Sequence, residues 1–126
     1  MKTTINTSKA PEPIGPYNQC IKVNGFYYIS GQIAIDVEGG NELKTDNIED
    51  ETKQVMKNIG FILEEAGLSY DDLVKLSIYL NDLNDFGTVN KTYGQYFEKH
   101  YPARECVEVS KLPKGVNIEI SGIAAE

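Results

Sequence analysis

Histidine and cysteine, the side chains of zinc sites and disulfide bonds, are scarce in this sequence. It holds one histidine and two cysteines in 126 residues. Two cysteines, Cys20 and Cys106, are too few for the disulfide framework of a small secreted protein, so we expect both to be reduced. One histidine and two distant cysteines do not make a zinc site either, and we predict no metal.

Long apolar runs and an excess of basic residues are lacking as well. No run approaches the ~20 apolar residues of a membrane span, and the start of the chain lacks the apolar core of a signal peptide. The chain has 12 basic and 19 acidic residues and a net charge of −7. Because phosphate binding needs clustered Lys and Arg, this balance argues against a nucleic-acid partner. We expect a cytoplasmic protein that contacts neither a membrane nor a nucleic acid.

The residues that are present are typical of a globular protein, and their patterning predicts an α+β fold in the order ββαβαββ. The length fits one domain, residues 1–126. Asn24-Gly25 between two apolar-aromatic runs is a strong hairpin signal, because both residues tolerate positive φ. Helical spacing of apolar residues predicts helices over 48–66 and 85–99, and strict alternation between them predicts a strand over 73–80.

The last quarter of the chain has the pattern of a second hairpin. Residues 104–110 and 116–123 alternate with the period of a half-buried strand, and the turn residues 112–115 join them. In such a hairpin Glu119 faces Glu108. One face would carry Val107, Val109, Ile118 and Ile120, and the other would carry Arg104, Cys106, Glu108, Glu119 and Ser121.

The polar face of this hairpin combines a guanidinium, a thiol and carboxylates. Arg104 could hold a small carboxylate in two hydrogen bonds, and Glu119 could hold and polarise a water molecule. The alternative is a sheet surface with salt bridges, in which Arg104 pairs with Glu108 or Glu119 across a subunit interface and an adjacent arginine holds the pKa of Glu119 below its ordinary value.

The two helices need an apolar sheet face to cover, and we expect both on the side of Val74, Val107 and Ile118. The polar sheet face is then either wet or covered by another subunit. The arginine and glutamate on that face favour a subunit interface with a ligand cleft.

Five short motifs, each weak alone, occur in the order and spacing of one family. They are Ile14-Gly15-Pro16-Tyr17-Asn18-Gln19, Ile29-Ser30-Gly31-Gln32-Ile33, Asn84-Asp85-Phe86 with Val89-Asn90, Pro102-Ala103-Arg104 through Cys106-Val107-Glu108-Val109 to Leu112-Pro113-Lys114, and Ile118-Glu119-Ile120. On these motifs the chain resembles the RidA/YjgF family nearly from end to end.

The resemblance implies a chorismate-mutase-like α+β fold with a mixed sheet and two helices packed on one face. It also implies a homotrimer whose sheets face inward, with active clefts between neighbouring subunits. The implied reaction is the hydrolysis of 2-imino acids, such as 2-iminobutanoate and 2-iminopropanoate, to 2-keto acids and ammonia. An imine carbon is already electrophilic, so we expect no cofactor.

The resemblance also implies roles for single residues. Arg104 would clamp the substrate carboxylate, and Glu119 would hold the water that attacks the imine carbon. The cleft would be lined by Tyr17, Ser30, Gly31, Phe86, Asn90 and Cys106. Because imine hydrolysis needs no covalent step, we expect Cys106 to be a pocket wall rather than a nucleophile.

Two other functions stay open at this point. One is a non-catalytic module that senses a small keto or amino acid through the same arginine. The other is a nucleic-acid or chaperone role, which some relatives have been assigned and which the acidic balance disfavours in its nucleic-acid form. One departure from the family pattern is Glu105, where a small residue is usual; strand alternation predicts that it points away from the face of Arg104.

Overall fold

The structure is a computed structural model that describes residues 1–126. The strands are β1 (Thr3–Ile5), β2 (Cys20–Val23), β3 (Phe26–Gln32), β4 (Ile35–Asp36), β5 (Glu42–Leu43), β6 (Leu73–Leu80), β7 (Ala103–Glu108) and β8 (Ile118–Ala125), and the helices are α1 (Ile48–Glu65) and α2 (Phe86–Gly94). Six strands form one sheet in the order β1-β2-β3-β8-β6-β7, while β4 and β5 pair separately. No helix is long and apolar enough to cross a membrane.

The first hairpin and the first helix form where the sequence predicts them. Asn24 and Gly25 have φ values of 52° and 80° and join β2 to β3 in the tight turn that positive φ allows. The side chain of Asn47 caps α1 by accepting a hydrogen bond of 2.8 Å from the backbone N–H of Asp50. Gly67, with a φ of 76°, follows the end of the helix.

The second predicted hairpin is wrong, because β7 and β8 are not neighbours. β7 runs parallel to β6 at the edge of the sheet, and β8 lies antiparallel between β3 and β6. The physical reason is the helix between β6 and β7. A strand, a helix and a second strand form a parallel crossover, so α2 places β7 beside β6, and β8 fills the gap between β3 and β6.

The apolar core lies between one face of the sheet, called here the helix face, and the two helices. Its fully buried side chains are Val55, Met56, Ile59, Ile62, Leu76, Ile78, Leu80, Val89, Ile118 and Ile120. Burying one such aliphatic side chain stabilises the fold by ~1.5 to 3 kcal/mol. The opposite face, called here the open face, carries no helix.

This arrangement confirms the α+β class with both helices on one face of a mixed sheet, but it corrects three details. Val74 and Val107 do not face the helices: they are 44% and 42% exposed. Helix α2 ends at Gly94 instead of Lys99, although Phe97 still packs edge to face on Tyr93 with a ring separation of 5.0 Å. The pattern also missed the short strands β1, β4 and β5.

Candidate active site

Arg104 and Glu119 project from opposite faces of the sheet. Arg104 on β7 is in register with Leu76, a fully buried residue of the helix face. Glu119 on β8 is in register with Tyr79, three positions further along β6 and therefore on the open face. The predicted grouping of these two side chains on one face is wrong for a single chain, because it depended on the hairpin that does not form.

Arg104 is held by side chains of α2. Its Nη1 donates a hydrogen bond to Oδ1 of Asn90. The guanidinium carbon lies 5.4 Å from the ring centroid of Phe86 and 5.2 Å from that of Tyr93, within the range of cation–π attraction. These four residues, together with Cys106, are called the arginine region below.

No carboxylate of the chain pairs with Arg104: none lies within 4.0 Å of its guanidinium. The guanidinium has five N–H donors, and the hydrogen bond to Asn90 uses a donor of Nη1 only. A surface pocket of about 330 Å³ opens beside it, lined by Asn90, Tyr93, Gly94, Tyr101, Pro102 and Arg104. A fixed, unpaired arginine at the wall of a pocket is suited to bind a small carboxylate. Arg104 pairs with neither Glu108 nor Glu119 within the chain, and the alternative pairing across a subunit interface stays a prediction.

Cys106 lies on the same side of the sheet as Arg104 and packs against the core. Burial raises the pKa of its thiol, and the nearby Arg104 partly offsets this effect. The thiol is therefore protonated at neutral pH and is a weak nucleophile.

Glu119 lies over Gly31 on the open face. A Cβ at position 31 would come within 2.9 Å of the carboxylate carbon of Glu119, so only glycine leaves room for this placement. β3 is irregular here: its register with β8 shifts between Ile29 and Gln32. Glu119, Gly31 and Ser30 are called the glutamate region below.

The segment before β2 runs beside the glutamate region. The hydroxyl of Ser30 donates a hydrogen bond of 2.6 Å to the carbonyl oxygen of Asn18, and its backbone N–H donates one of 2.9 Å to that of Gln19. Tyr17, which precedes this contact, is 48% exposed. It lines a pocket of about 660 Å³ that contains no other predicted site residue.

The carboxyl group of Glu119 has no partner within the chain. Burial is the cause that raises its pKa above the ordinary value, and no hydrogen bond or neighbouring cation lowers it. The alternative in which an adjacent arginine lowers this pKa does not apply within the single chain. A carboxylate with a raised pKa and no internal donors can accept a proton from water.

Two tyrosines beside these regions were not predicted as site residues. Tyr93 is almost fully buried and contacts Arg104. Its signal was the spacing of Phe86, Asn90 and Tyr93, which puts the three on one stripe of α2. Tyr79 flanks Glu119 on the open face, and only the correct strand order reveals this proximity.

Glu105 points away from Arg104, as alternation predicts. On the open face it accepts a hydrogen bond from the hydroxyl of Ser77 and pairs with Lys75 at 3.1 Å. The hydrogen bond from Ser77 and then Lys75 hold the pKa of Glu105 below its usual range. Its negative charge is therefore already partnered and lies on the other side of the sheet from the arginine region.

Sequence comparison finds relatives along the whole chain. A family profile described as endoribonuclease L-PSP matches residues 7–126. A RutC family protein of Pyrococcus abyssi is 54% identical over 123 residues, which cover 98% of this chain and 96% of the relative. The human 2-iminobutanoate/2-iminopropanoate deaminase is 44% identical over 126 residues, which cover 100% of this chain and 91% of the relative.

Solved structures share the fold. A Rid family protein of Yersinia pestis matches with a TM-score of 0.96 at 44% identity and full coverage of both chains. E. coli TdcF, solved with bound serine, matches with a TM-score of 0.92 at 38% identity and 98% coverage of each chain. At these identities the likeness covers the family as well as the fold.

Proposed function

The chain belongs to the RidA/YjgF family, and on that premise we propose that it hydrolyses 2-imino acids to 2-keto acids and ammonia. The substrates would be 2-iminobutanoate and 2-iminopropanoate, the compounds in the name of its human relative. The observation that carries the proposal is Arg104, which Asn90 and two aromatic rings hold in place without any carboxylate of the chain to neutralise it. The α-carboxylate of an imino acid supplies that missing anion.

The site would be assembled from two copies of the chain. Arg104 lies on the helix face and Glu119 on the open face, so one small ligand does not contact both side chains of a single chain. The arginine region of one copy would meet the glutamate region of the next. A head-to-tail contact forms a ring when its rotation closes, and the ring that the family resemblance implies is a homotrimer.

In the proposed reaction, Arg104 binds the carboxylate of the imino acid in a bidentate pair and fixes the imine carbon. Glu119 of the neighbouring copy accepts a proton from a water molecule, whose oxygen forms a bond to that carbon. The π electrons of the C=N bond move to the nitrogen, which takes up the proton that Glu119 removed from water. In the resulting tetrahedral intermediate Glu119 accepts the hydroxyl proton and passes it to the nitrogen. The C–N bond breaks as the C=O bond forms, and the keto acid and ammonia leave. One imine and one water are consumed, and no electron donor or cofactor takes part.

Burial of Glu119 supports its role as the base. Within a single chain burial raises its pKa, and a raised pKa makes a carboxylate a stronger proton acceptor; Arg104 of the neighbouring copy would offset part of this rise in the assembled site. General-base assistance typically supplies ~10² to 10⁴-fold in rate, which is a useful acceleration for an imine that also hydrolyses unaided.

The test is the decay of 2-iminobutanoate generated in place by a threonine dehydratase. We expect wild-type protein to accelerate the decay. Arg104→Ala should lower kcat/KM by roughly 10 to 150-fold, because a charge-assisted hydrogen bond is worth about 1.5 to 3 kcal/mol. Lys91→Ala, which removes an exposed cation from the neighbouring helix, is the charge-matched control. No acceleration by the wild-type protein would refute the proposal.

A second candidate is a binding module that senses a small carboxylate without turning it over. The observation that favours it is the serine bound to the relative TdcF, since serine carries the same α-carboxylate. Glu119→Gln separates the two functions. A sensor keeps its affinity and its response in this variant, whereas the hydrolase keeps its affinity and loses turnover.

A further inference from the structure

A buried carboxylate on α1 contacts the start of β8, close to Glu119. Glu51 is fully buried and pairs with no cation of the chain. Its Oε2 accepts hydrogen bonds from the backbone N–H groups of Asn117, at 2.7 Å, and Ile118, at 3.2 Å. Its Oε1 accepts one of 2.8 Å from the side-chain amide of Asn117. Three donors therefore replace the water that this carboxylate has lost.

Asn117 uses its remaining polar groups to bind the end of β6. Its carbonyl oxygen accepts a hydrogen bond of 3.1 Å from the backbone N–H of Asn81, and its Oδ1 accepts one of 2.9 Å from the side-chain amide of Asn81. Glu51, Asn117 and Asn81 thus join α1, β6 and β8 in one network, called here the Glu51 network.

The Glu51 network fixes the backbone immediately before Glu119. Ile118, whose N–H binds Glu51, points into the core and is fully buried, so the next residue must point to the open face. The position of the Glu119 carboxylate over Gly31 then depends on the position of the backbone at the start of β8. The backbone thus links the Glu51 network on the helix side to a side chain on the open face.

We propose that Glu51 is a positioning residue, which sets the location of the Glu119 carboxylate through the backbone of Asn117 and Ile118. The proposal rests on the proposed function for its catalytic consequence. Glu51 touches neither the ligand pocket nor Glu119 itself, so its effect passes entirely through β8. A purely structural role would instead lower stability and leave the turnover of the folded protein unchanged.

Glu51→Ala removes all three hydrogen bonds at once and is the main variant. We expect kcat for imine hydrolysis to fall by about 10 to 100-fold, because a displacement on the order of 1 Å at a reacting group can cost ~10²-fold. KM should stay near the wild-type value, since Arg104 and Asn90 lie outside the network. Unchanged kcat in the folded variant would overturn the proposal.

Glu51→Gln should rescue most of the activity. Its amide oxygen can accept from both backbone N–H groups, and its amide nitrogen can donate to Asn117 once the side-chain amides of Asn117 and Asn81 both reverse. Thr52→Val is the control: Thr52 is buried on the same helix, but its hydroxyl binds only the carbonyl oxygen of Ile48. If Glu51→Ala does not fold, Asn117→Ala keeps both backbone donors and should show an intermediate fall in kcat.

Amide hydrogen exchange tests the same inference without reference to activity. In Glu51→Ala the amides of residues 117–119 should lose protection relative to those of β3, while in Thr52→Val they should not. If these amides, including that of residue 119, lose protection but wild-type protein does not hydrolyse imines, Glu51 still fixes the start of β8 and the proposed function alone fails. If they keep their protection in Glu51→Ala, the positioning role fails whatever the activity.

Discussion

The arginine region and the glutamate region differ in how completely the chain supports them. Arg104 is fixed by a hydrogen bond to Asn90 and by the rings of Phe86 and Tyr93. Glu119 has a fixed backbone and a glycine beneath it, but its carboxylate has no hydrogen bond or ion pair within the chain. The arginine region is ready to bind an anion. The glutamate region holds a half-buried carboxyl group without a hydrogen-bond or charge partner.

Each region lacks a partner that the other region or the substrate could supply. Arg104 has no anion, and Glu119 has neither a cation nor a hydrogen-bond donor. A buried or half-buried charge without a partner is costly, and proteins keep such groups where a ligand or another subunit completes them. The comparison therefore supports a site that two copies of the chain share, with the arginine region binding and the glutamate region activating water.

The largest effect should come from Glu119→Gln, which separates activation from binding. We expect kcat to fall by ~10² to 10⁴-fold, because glutamine cannot accept the proton of the attacking water. KM should change little, since the carboxylate of the substrate is bound by the arginine region. Glu105→Gln on the same open face is the matched control and should keep wild-type kcat. A large rise in KM with unchanged kcat would show that Glu119 binds instead of activating.

Gly31→Ala should give the next largest effect. The new Cβ would displace the Glu119 carboxylate, which is the end of a flexible side chain, so the protein should still fold. We expect kcat to fall by about 100-fold through misplacement alone. Gly87→Ala, where a Cβ meets open space on α2, should leave both folding and kcat intact. Wild-type kcat in Gly31→Ala would break the link between Gly31 and Glu119.

Substitutions of Asn90 sharpen the description of the arginine region. Asn90→Ala removes the acceptor for Arg104, and we expect KM to rise about fivefold, the equivalent of ~1 kcal/mol, with little change in kcat. Asn90→Asp has the same shape but supplies the carboxylate that Arg104 lacks. It should compete with the substrate and raise KM further than Asn90→Ala does. The reverse order would mean that Arg104 does not bind the carboxylate.

The smallest effect concerns the pKa of Glu119, which ¹³C NMR of its carboxyl carbon can follow. Within one chain burial raises this pKa, whereas an Arg104 supplied by a neighbouring copy would lower it. Arg104→Ala in the assembled protein should therefore raise the pKa of Glu119. Protonated Glu119 accepts no proton, so activity is lost as the pH falls through this pKa. An unchanged pKa in the variant would show that the two regions do not meet.

The same shift has a consequence for stability. A carboxyl group whose folded-state pKa lies above its unfolded value binds its proton more tightly in the folded state. The free energy of unfolding of Arg104→Ala should therefore fall as the pH rises from the unfolded value, about 4.3, through the raised folded value. Urea unfolding of Arg104→Ala and of Arg104→Ala with Glu119→Gln across this window checks the sign, because the double variant lacks the effect.

The helices and most strands could be predicted from the sequence, but the order of the strands in the sheet could not. Helix α1 and strand β6 have strong periodicity, and Asn24-Gly25 favours only one kind of turn. The two-residue period of a strand shows which residues share a face within that strand, but it does not identify the partner strand. Residues 112–115 have hairpin composition, yet they lead from the edge strand β7 past β6 to β8.

The residue types of the candidate site could be proposed from the sequence, but their arrangement could not. Family motifs singled out Arg104 and Glu119, but the wrong strand order put both on one face. Tyr93 was not predicted as a site residue, because helical spacing alone does not distinguish a core aromatic from one that also contacts Arg104. Glu51 gave no signal at all: in the sequence it is one of several acidic residues at the start of α1.

The most direct test of a shared site mixes two inactive variants. Arg104→Ala and Glu119→Gln chains are unfolded together, refolded at equal concentration and assayed for 2-iminobutanoate hydrolysis. If each site takes Arg104 from one copy and Glu119 from another, random assembly gives about one quarter of the sites both wild-type residues, and about that share of wild-type activity should return. A mixture as inactive as its two components, with mixed assembly verified by mass, would contradict the shared site.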